Sequence, residues 1–260
     1  MKHQSNILAL KYRPLNFQDL IGQEYLVETI QKSIQQNKIP NAYIFTGIRG
    51  VGKTTTARIV AKMLNCTVFD KNNEPDLINC EQAKAITEDR HPDVIEIDAA
   101  SNTSVENARE IIENVKYNPV LGKYKVYIVD EVHMLSKSAF NALLKTLEEP
   151  PPHSKFIFAT TEISKVPITI LSRCQRFDLR RVEKKTLSDF LKSIAKKEDI
   201  TISNEALNLI IKASDGSVRD SLSILDQANV FKSQKEIQVE EIVNMLGFAR
   251  QGDLYELSRL

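Results

Sequence analysis

Short apolar runs alternate with amphipathic stretches along the first 180 residues. Runs of strand length occur at residues 42–46, 93–97, 125–129 and 155–160. Between them, apolar residues recur at helical intervals of three and four. The recurring positions follow Gly52 over residues 54–64, then Val105, Ala108, Ile111, Ile112 and Val115, and then Ala139, Leu143, Leu144 and Leu147. Strands that alternate with helices predict an α/β fold with a parallel sheet and right-handed crossovers.

The pattern changes after about Phe177, where strong strand runs end and helical stretches follow. The predicted helices cover residues 184–197, 203–213, 219–231 and 239–246, with Thr186, Ser203 and Ser217 as N-cap residues. We therefore predict an α/β core over 1–180, a small all-helical domain over 181–246, and in 247–260 the start of a further helix that the chain does not complete.

Composition and charge narrow the class of protein. Hydrophobic residues make up 42% and charged residues 27% of the chain, values typical of a folded globular protein and not of a disordered or collagen-like one. No apolar run approaches the ~18 residues that a membrane span needs. The net charge of +1 provides no global attraction for nucleic acid, so any DNA contact must come from a local patch.

The cysteines and the N terminus indicate the compartment. Cys66, Cys80 and Cys174 form no CxxC pair and are odd in number, which favours a reducing environment. The first ten residues lack the long apolar stretch of a signal peptide. We expect a cytoplasmic protein without membrane contact.

A glycine-rich segment after the first strand fits the phosphate-binding pattern GxxxxGK[ST] at residues 47–54. Its glycines let backbone N–H groups converge on one centre, and the following helix adds the positive end of its dipole. Lys53 is expected to reach the β- and γ-phosphates, and the Thr54 hydroxyl to bind Mg²⁺. The alternative is a chance glycine-rich turn. The predicted nucleotide contacts are Gly47, Ile48, Arg49, Gly50, Val51, Gly52, Lys53, Thr54 and Thr55.

Two later strands end in polar residues that complete this pattern. The strand at 125–129 delivers Asp130, predicted to hold Mg²⁺, and Glu131, predicted to activate water. We expect His133 to pack or form hydrogen bonds rather than take part in chemistry. The strand at 155–160 ends in Thr160 and Thr161, which either sense the γ-phosphate or simply cap the strand.

These motifs, in this order, resemble those of the AAA+ ATPases. Further segments narrow the resemblance to the bacterial DNA polymerase III gamma/tau subunits, the ATPases of the replicative clamp loader. The segments are YRP at 12–14, DLIGQE at 19–24, GVGKT at 50–54, IDAAS at 97–101, DEVHML at 130–135, NALLKTLEEP at 141–150, ILSRC at 170–174 and GSVRD at 216–220.

The resemblance implies a five-stranded parallel AAA+ core, a helical lid and a third, collar domain that assembles a pentamer. It implies ATP and Mg²⁺ as ligands, and an ATPase that loads the sliding clamp onto primed DNA without sequence specificity. The implied partners are the delta and delta prime subunits, further gamma/tau copies, the clamp and DNA. The complex belongs to a DNA-directed DNA polymerase holoenzyme, but nothing in this chain resembles a polymerase active site. Since the chain stops where the collar should begin, we do not expect it to form strong pentamers alone.

Residue roles carry over by motif. Arg173 matches the arginine finger that reaches a neighbouring subunit's ATP; the alternative is a surface arginine in a loop. Arg219 matches sensor 2 in the lid; the alternative is an arginine paired with Asp220 or Asp215. Thr161 fits sensor 1, with Thr160 as the alternative. The segment around the adenine ring matches Tyr12, Arg13, Leu20 and Ile21.

The chain departs from the family pattern at the zinc module. Many relatives carry four cysteines there, whereas only Cys66 and Cys80 are present here, with Glu74, Asp76 and Leu77 between them. Structural zinc needs four good ligands, so we expect no zinc, and a loop held by packing or mobile.

DNA contacts are predicted from helix positions and charge. Arg109 and Lys145 lie on predicted helices that could face DNA, and Asn102 and Ser104 sit where some relatives carry basic residues. Residues 173–197 contain nine basic and three acidic side chains. Such runs are commonly solvated faces, and phosphate contacts made by them would lack sequence preference.

Two other functions compete with the clamp loader. A hexameric AAA+ DNA translocase or helicase would share both phosphate motifs, although the SRC and NALLKTLEEP segments argue against it. A scaffold subunit that does not hydrolyse ATP would carry a degraded phosphate loop, whereas Lys53, Thr54, Asp130 and Glu131 are intact.

Overall fold

The computed structural model describes residues 7–70, 75–101, 105–231 and 235–247. It divides into two compact units, Pro14–Arg180 and a helical unit formed by residues 7–13 with residues 181–247. We predicted that the core would begin at residue 1. Residues 7–13 cluster instead with the helical unit, because Lys11 and Tyr12 both donate hydrogen bonds to the Glu198 carboxylate.

The first unit contains a five-stranded sheet in the order β2-β3-β4-β1-β5, in which every strand pair is parallel. This is the predicted α/β architecture. The strands are β1 Ala42–Thr46, β2 Val94–Asp98, β3 Lys125–Asp130, β4 Ser154–Thr160 and β5 Gln175–Asp178.

The register places the carboxyl ends of the strands side by side. Thr46 pairs with Thr160 and with Asp178, and Asp98 pairs with Asp130. In a parallel sheet, ligands bind at this edge. The polar residues that end the strands therefore lie at the edge where we predicted the nucleotide site.

Helices cover both faces of the sheet. In the first unit they are α2 Glu24–Gln35, α3 Lys53–Asn65, α4 Glu81–Thr87, α5 Val105–Val115, α6 Lys137–Glu148 and α7 Ile168–Leu171, with 3-10 turns at Phe17–Asp19, Val132–Met134 and Ile163–Lys165. The helix α6 ends just before the three prolines at 150–152, as predicted, because proline cannot continue a helix.

Alternating side chains divide the core into two layers. Tyr43 and Phe45 of β1 pack with α3 on one face, and Ile44 packs with α5 and α6 on the other. On α5, Ile111 and Val115 are buried as predicted. Ile112 is partly buried against the same core, and the side chains of the remaining predicted positions, 105 and 108, lie outside the described residues.

The second unit is helical, with one addition to the prediction. Its helices are α1 Leu8–Lys11, α8 Lys184–Lys197, α9 Asn204–Ser214, α10 Val218–Phe231 and α11 Val239–Leu246. Two residues of β6, Thr201–Ile202, pair in parallel with β7, Glu236–Ile237, a contact too short to produce a strand pattern in the sequence.

The helix starts test the predicted N-caps. Ser203 and Ser217 accept hydrogen bonds from the N–H groups of Ala206 and Asp220. The prediction for Thr186 was wrong, because α8 begins two residues earlier, after Glu183. The predicted further helix at 247–260 lies outside the described residues beyond Gly247. Among the residues that are described, no helix combines the length and apolar character of a membrane span.

Candidate nucleotide-binding site

The glycine-rich segment forms a loop between the end of β1 and the start of α3. Gly47, Gly50 and Gly52 have φ angles of +149°, +77° and +104°, in the region that side chains rarely adopt. A Cβ on Gly47 would lie 2.7 Å from the carbonyl oxygen of Leu179. The loop conformation therefore depends on glycine at this position.

Lys53 lies over this loop at the first residue of α3. Its Nζ donates to the carbonyl oxygens of Gly47 and Ile48, at 3.0 Å each, and the residue is 6% exposed. Burial lowers the pKa of Lys53, while the carboxylates of Glu131 and Asp130 oppose that shift. The ammonium is thus fixed next to the N terminus of α3, a position suited to an anionic ligand.

Thr54 and Asp130 meet at the centre of the site. The Thr54 hydroxyl donates to Asp130 Oδ2 at 2.5 Å, and Asp130 Oδ1 accepts the N–H of Glu131 at 2.9 Å. A hydroxyl beside a carboxylate is an oxygen donor set that fits Mg²⁺. The two residues predicted to hold the metal are therefore adjacent.

Glu131 follows Asp130 directly, just after the end of β3. Its φ angle of +47° is unusual for a residue with a side chain. Its Oε2 accepts hydrogen bonds from the N–H and the hydroxyl of Thr161, at 3.2 and 3.0 Å. Thr160, the alternative sensor, is fully buried, and its hydroxyl lies 3.0 Å from His133 Nδ1. The geometry thus brings Thr161, rather than Thr160, to the candidate base.

The residues predicted around the adenine fall into two groups. Leu20 is buried beside the loop, with its Cδ2 3.7 Å from where a Cβ on Gly52 would lie, and Ile21 follows it in the same unit. Tyr12 and Arg13 belong to the helical unit. Arg219 also belongs to that unit, where it is exposed on α10. Of its two alternative partners, Asp215 is paired with Arg181.

Sequence reasoning missed the partner of Arg173. Its guanidinium binds Glu148 at 2.5 Å and the carbonyl oxygen of Thr169 at 2.6 Å. Glu148 lies within the NALLKTLEEP segment, which identified the family but gave no signal of this contact.

The predicted DNA contacts lie on exposed surfaces. Arg109 on α5 and Lys145 on α6 are exposed, whereas Asn102 and Ser104 lie outside the described residues. The basic run at 173–197 is divided between the two units. Some of its arginines are paired with acidic residues: Arg173 with Glu148, Arg176 with Asp178 and Arg181 with Asp215.

The two cysteines at the position of the family's zinc module lie in a small apolar cluster. Cys66 and Cys80 are buried with Ala83, and Leu77 packs against them. The carboxylate of Asp76 accepts hydrogen bonds from its own turn, while Glu74 lies outside the described residues. Within the described ranges no group of three or more potential metal ligands converges. These residues do not fit a four-ligand zinc site.

Family models match both units. A model described as "DNA polymerase III, delta subunit" matches residues 22–183, which is more than half of the chain. A second model, "DNA polymerase III clamp loader subunit, ATPase lid domain", matches residues 186–233. Among the relatives, the DNA polymerase III subunit gamma of Buchnera aphidicola subsp. Schizaphis graminum is 44% identical over 97% of this chain and 69% of its own length.

The chain belongs to the DNA polymerase III gamma/tau family of clamp-loader subunits. Other gamma/tau relatives are the tau/gamma subunit of Haemophilus influenzae, 47% identical over 93% of this chain, and the tau subunit of Bacillus subtilis, 47% identical over 92%. This chain spans 35% and 42% of their lengths.

The fold of this gamma/tau chain is shared more widely. The Thermotoga maritima RuvB Holliday junction branch migration motor superposes with a TM-score of 0.66 at 17% identity, covering 91% of this chain and 72% of RuvB. At that identity the likeness concerns the AAA+ fold alone.

Proposed function

We propose that this chain is an ATPase subunit of the bacterial replicative clamp loader, which uses ATP binding and hydrolysis to load the sliding clamp onto primed DNA. The observation that carries the proposal is the meeting of Lys53, Thr54, Asp130 and Glu131 at the carboxyl edge of the sheet. Membership of the gamma/tau family supports it.

Each group at the site has a role in hydrolysis. Lys53 contacts the β- and γ-phosphates, which the loop N–H groups surround. Thr54 and Asp130 would hold Mg²⁺, which when bound supplies charge that offsets the charge on the phosphates. Glu131 accepts the proton of the attacking water, and Thr161 orients Glu131. The products are ADP and inorganic phosphate.

Further residues complete the proposal by family resemblance. Arg173 acts on the ATP of a neighbouring subunit, where its planar fork suits spread-out phosphate charge. Arg219 senses the nucleotide, and Leu20 and Ile21, with Tyr12 and Arg13, surround the adenine. Arg109 and Lys145 contact DNA phosphates without sequence preference.

The proposed partners are delta, delta prime, further gamma/tau copies, the sliding clamp and primed DNA. Partner subunits of the holoenzyme carry out polymerisation. The unpaired thiols of the described cysteines support a cytoplasmic location.

Replacement of the phosphate-loop lysine tests the proposal. In the full-length protein, Lys53→Ala should abolish Mg-ATP binding and the ATPase activity of the loader reconstituted with clamp and primed DNA. Lys38→Ala changes an exposed lysine outside the loop and should leave both unchanged. Equal activity of Lys53→Ala and the wild type would refute the assignment.

The competing functions predict different responses. A hexameric translocase, which the RuvB-like fold permits, would be stimulated by DNA without the clamp. A scaffold subunit would bind partners with no loss of loading in the Lys53→Ala variant. The SRC segment and the intact Lys53, Thr54, Asp130 and Glu131 favour the hydrolysing loader.

A further inference from the structure

A buried histidine lies beside the candidate base and has no role in the proposed reaction. His133 sits in the 3-10 turn after β3, and its side chain is 6% exposed. Its Nδ1 is 3.0 Å from Thr160 Oγ1 and 3.4 Å from Glu131 Oε2. Its Nε2 is 3.4 Å from Glu162 Oε1. The ring therefore lies between Glu131 and a second carboxylate.

These contacts place polar groups at both nitrogens of the ring. The ionised Glu162 carboxylate can only accept, so a favourable contact requires the proton on Nε2. Thr160 Oγ1 already accepts the N–H of Glu162 at 3.0 Å, and its hydroxyl proton is available for Nδ1. Nδ1 also lies 3.4 Å from Glu131 Oε2, so the ring packs directly against this carboxylate oxygen. The same oxygen accepts both hydrogen bonds from Thr161.

The backbone of Glu131 restricts its side chain further. The residue adopts φ +47° and ψ +44°, and its N–H is held by Asp130 Oδ1. Such a conformation costs about 1–2 kcal/mol for a residue with a side chain, and it persists where the surroundings enforce it. The carboxylate is thus held from three sides: by its own backbone, by Thr161 and by His133.

Glu162 connects this arrangement to the surface. Its side chain is 46% exposed and pairs with Lys165, whose side chain is 57% exposed. His133 bridges the distance between this exposed carboxylate and Glu131. Loss of the Glu162 carboxylate can therefore affect the base through one imidazole ring.

We propose that His133 is a positioning residue for Glu131 and that it ties this base to the exposed Glu162. The inference rests on the proposed function, in which Glu131 activates water. The groups that hold the nucleotide depend on other contacts: Lys53 is held by the loop carbonyls, and Thr54 by Asp130. Loss of the imidazole should therefore reduce turnover and leave nucleotide binding unchanged.

Two replacements of His133 separate positioning from packing. His133→Leu fills a similar volume without polar atoms, whereas His133→Asn keeps an amide near the position of Nδ1. In the full-length protein assembled with its loader partners, clamp and primed DNA, we expect His133→Leu to lower kcat about tenfold or more. The KM and Kd for ATP should stay within about twofold, and His133→Asn should restore part of the turnover. A packing role alone would not be rescued by the amide.

The link to Glu162 has its own test. Glu162→Gln should lower kcat about threefold, and combining it with His133→Leu should cause no further loss, because both act through one contact. Lys165→Gln is the matched control, since it removes the other partner of Glu162, and its turnover should match the wild type. Because Glu162 and Lys165 are partly exposed, these variants are expected to fold normally.

Specific results would overturn the inference. They are wild-type turnover in a folded His133→Leu variant, a rise in KM as large as the fall in kcat, no effect of Glu162→Gln, and multiplicative losses in the double variant. Failure of the proposed function is distinct: the wild-type protein would then neither bind nor hydrolyse Mg-ATP. If His133→Leu does not fold, His133→Asn and Glu162→Gln still decide the outcome.

Discussion

Arg173, two residues after α7, and Glu148, the last residue of α6, form a close ion pair, with the guanidinium Nη2 2.5 Å from the carboxylate Oε1. The side chains are 31% and 49% exposed. A pair this open to water contributes about 0–1 kcal/mol to stability. The contact therefore orients the guanidinium and contributes little to the stability of the fold. Replacing Arg173 should for this reason change activity and leave stability nearly unchanged.

Replacing this arginine should separate binding from hydrolysis. Arg173→Ala should leave ATP binding intact and reduce clamp- and DNA-stimulated hydrolysis by about 10³-fold, because in the proposed function the guanidinium stabilises phosphate charge in the transition state. The measurement is steady-state ATPase activity of the reconstituted loader, alongside nucleotide titration. Arg176→Ala, which breaks the exposed pair with Asp178, is the control. Unchanged hydrolysis in Arg173→Ala would remove the finger assignment.

A buried carboxylate stabilises the turn before β3. Asp93 is 1% exposed, and its oxygens accept the N–H groups of Val120, Leu121 and Gly122 at 2.7 Å each. Asp93→Asn loses acceptor capacity there and should lower the free energy of unfolding by about 2–4 kcal/mol. Urea unfolding at pH 7 measures this change.

The same residue should give a pH-dependent difference. Burial acts to raise the pKa of Asp93, but the N–H donors of Gly122, Val120 and Leu121, with His91, outweigh it and lower the pKa. A depressed folded-state pKa stabilises the protein above the unfolded value of about 3.9, and this contribution is lost as the pH falls through the folded value. The difference in unfolding free energy between the wild type and Asp93→Asn should therefore become smaller below about pH 4.

One further variant sets the scale for the stability loss expected at Asp93. Asp178→Asn removes an exposed pair, so it should cost at most about 1 kcal/mol. A loss equal to that of Asp93→Asn would contradict the importance of the three N–H contacts.

A methyl group at Gly47 should destroy the phosphate loop. Its Cβ would lie 2.7 Å from the Leu179 carbonyl and 3.2 Å from Val51 Cγ2, at φ +149°. Gly47→Ala should lower the free energy of unfolding by about 2–4 kcal/mol and abolish Mg-ATP binding. Gly247→Ala is the control, since no described residue lies within 4 Å of its Cβ and the expected cost is that of φ +66°, about 1 kcal/mol. Thermal unfolding and nucleotide titration check both.

The thiols of the folded protein should react slowly. Burial, with a hydrogen bond involving Cys80, raises the pKa of Cys66 to about 12, and burial raises the pKa of Cys174 to about 12. Cys80 is fully buried. At pH 8 the thiolate fraction of the first two is about 10³-fold below that of an ordinary cysteine. A disulfide reagent should therefore react quickly with all three thiols only after the protein is unfolded. Stoichiometric zinc in the purified protein would contradict the assignment of Cys66 and Cys80 as free thiols.

Features that could be predicted rested on strong local patterns. The phosphate loop, the strands β1 to β4 and the helices α8 to α11 follow from periodicity, glycine spacing and capping. The strand β5 was missed because it lies at the sheet edge and buries only Phe177 of its four residues. The placement of residues 7–13 was missed because it depends on Glu198, which is distant in sequence.

The sequence by itself determined the candidate site residues Lys53, Thr54, Asp130 and Glu131, because they sit at fixed offsets from the strands and helix that carry them. The tertiary structure alone decided which strand ends are neighbours, and so which threonine meets Glu131, where His133 lies between two carboxylates, and which partner holds Arg173. These contacts join residues 25 to 30 positions apart, at distances set by sheet register and packing rather than by local propensity.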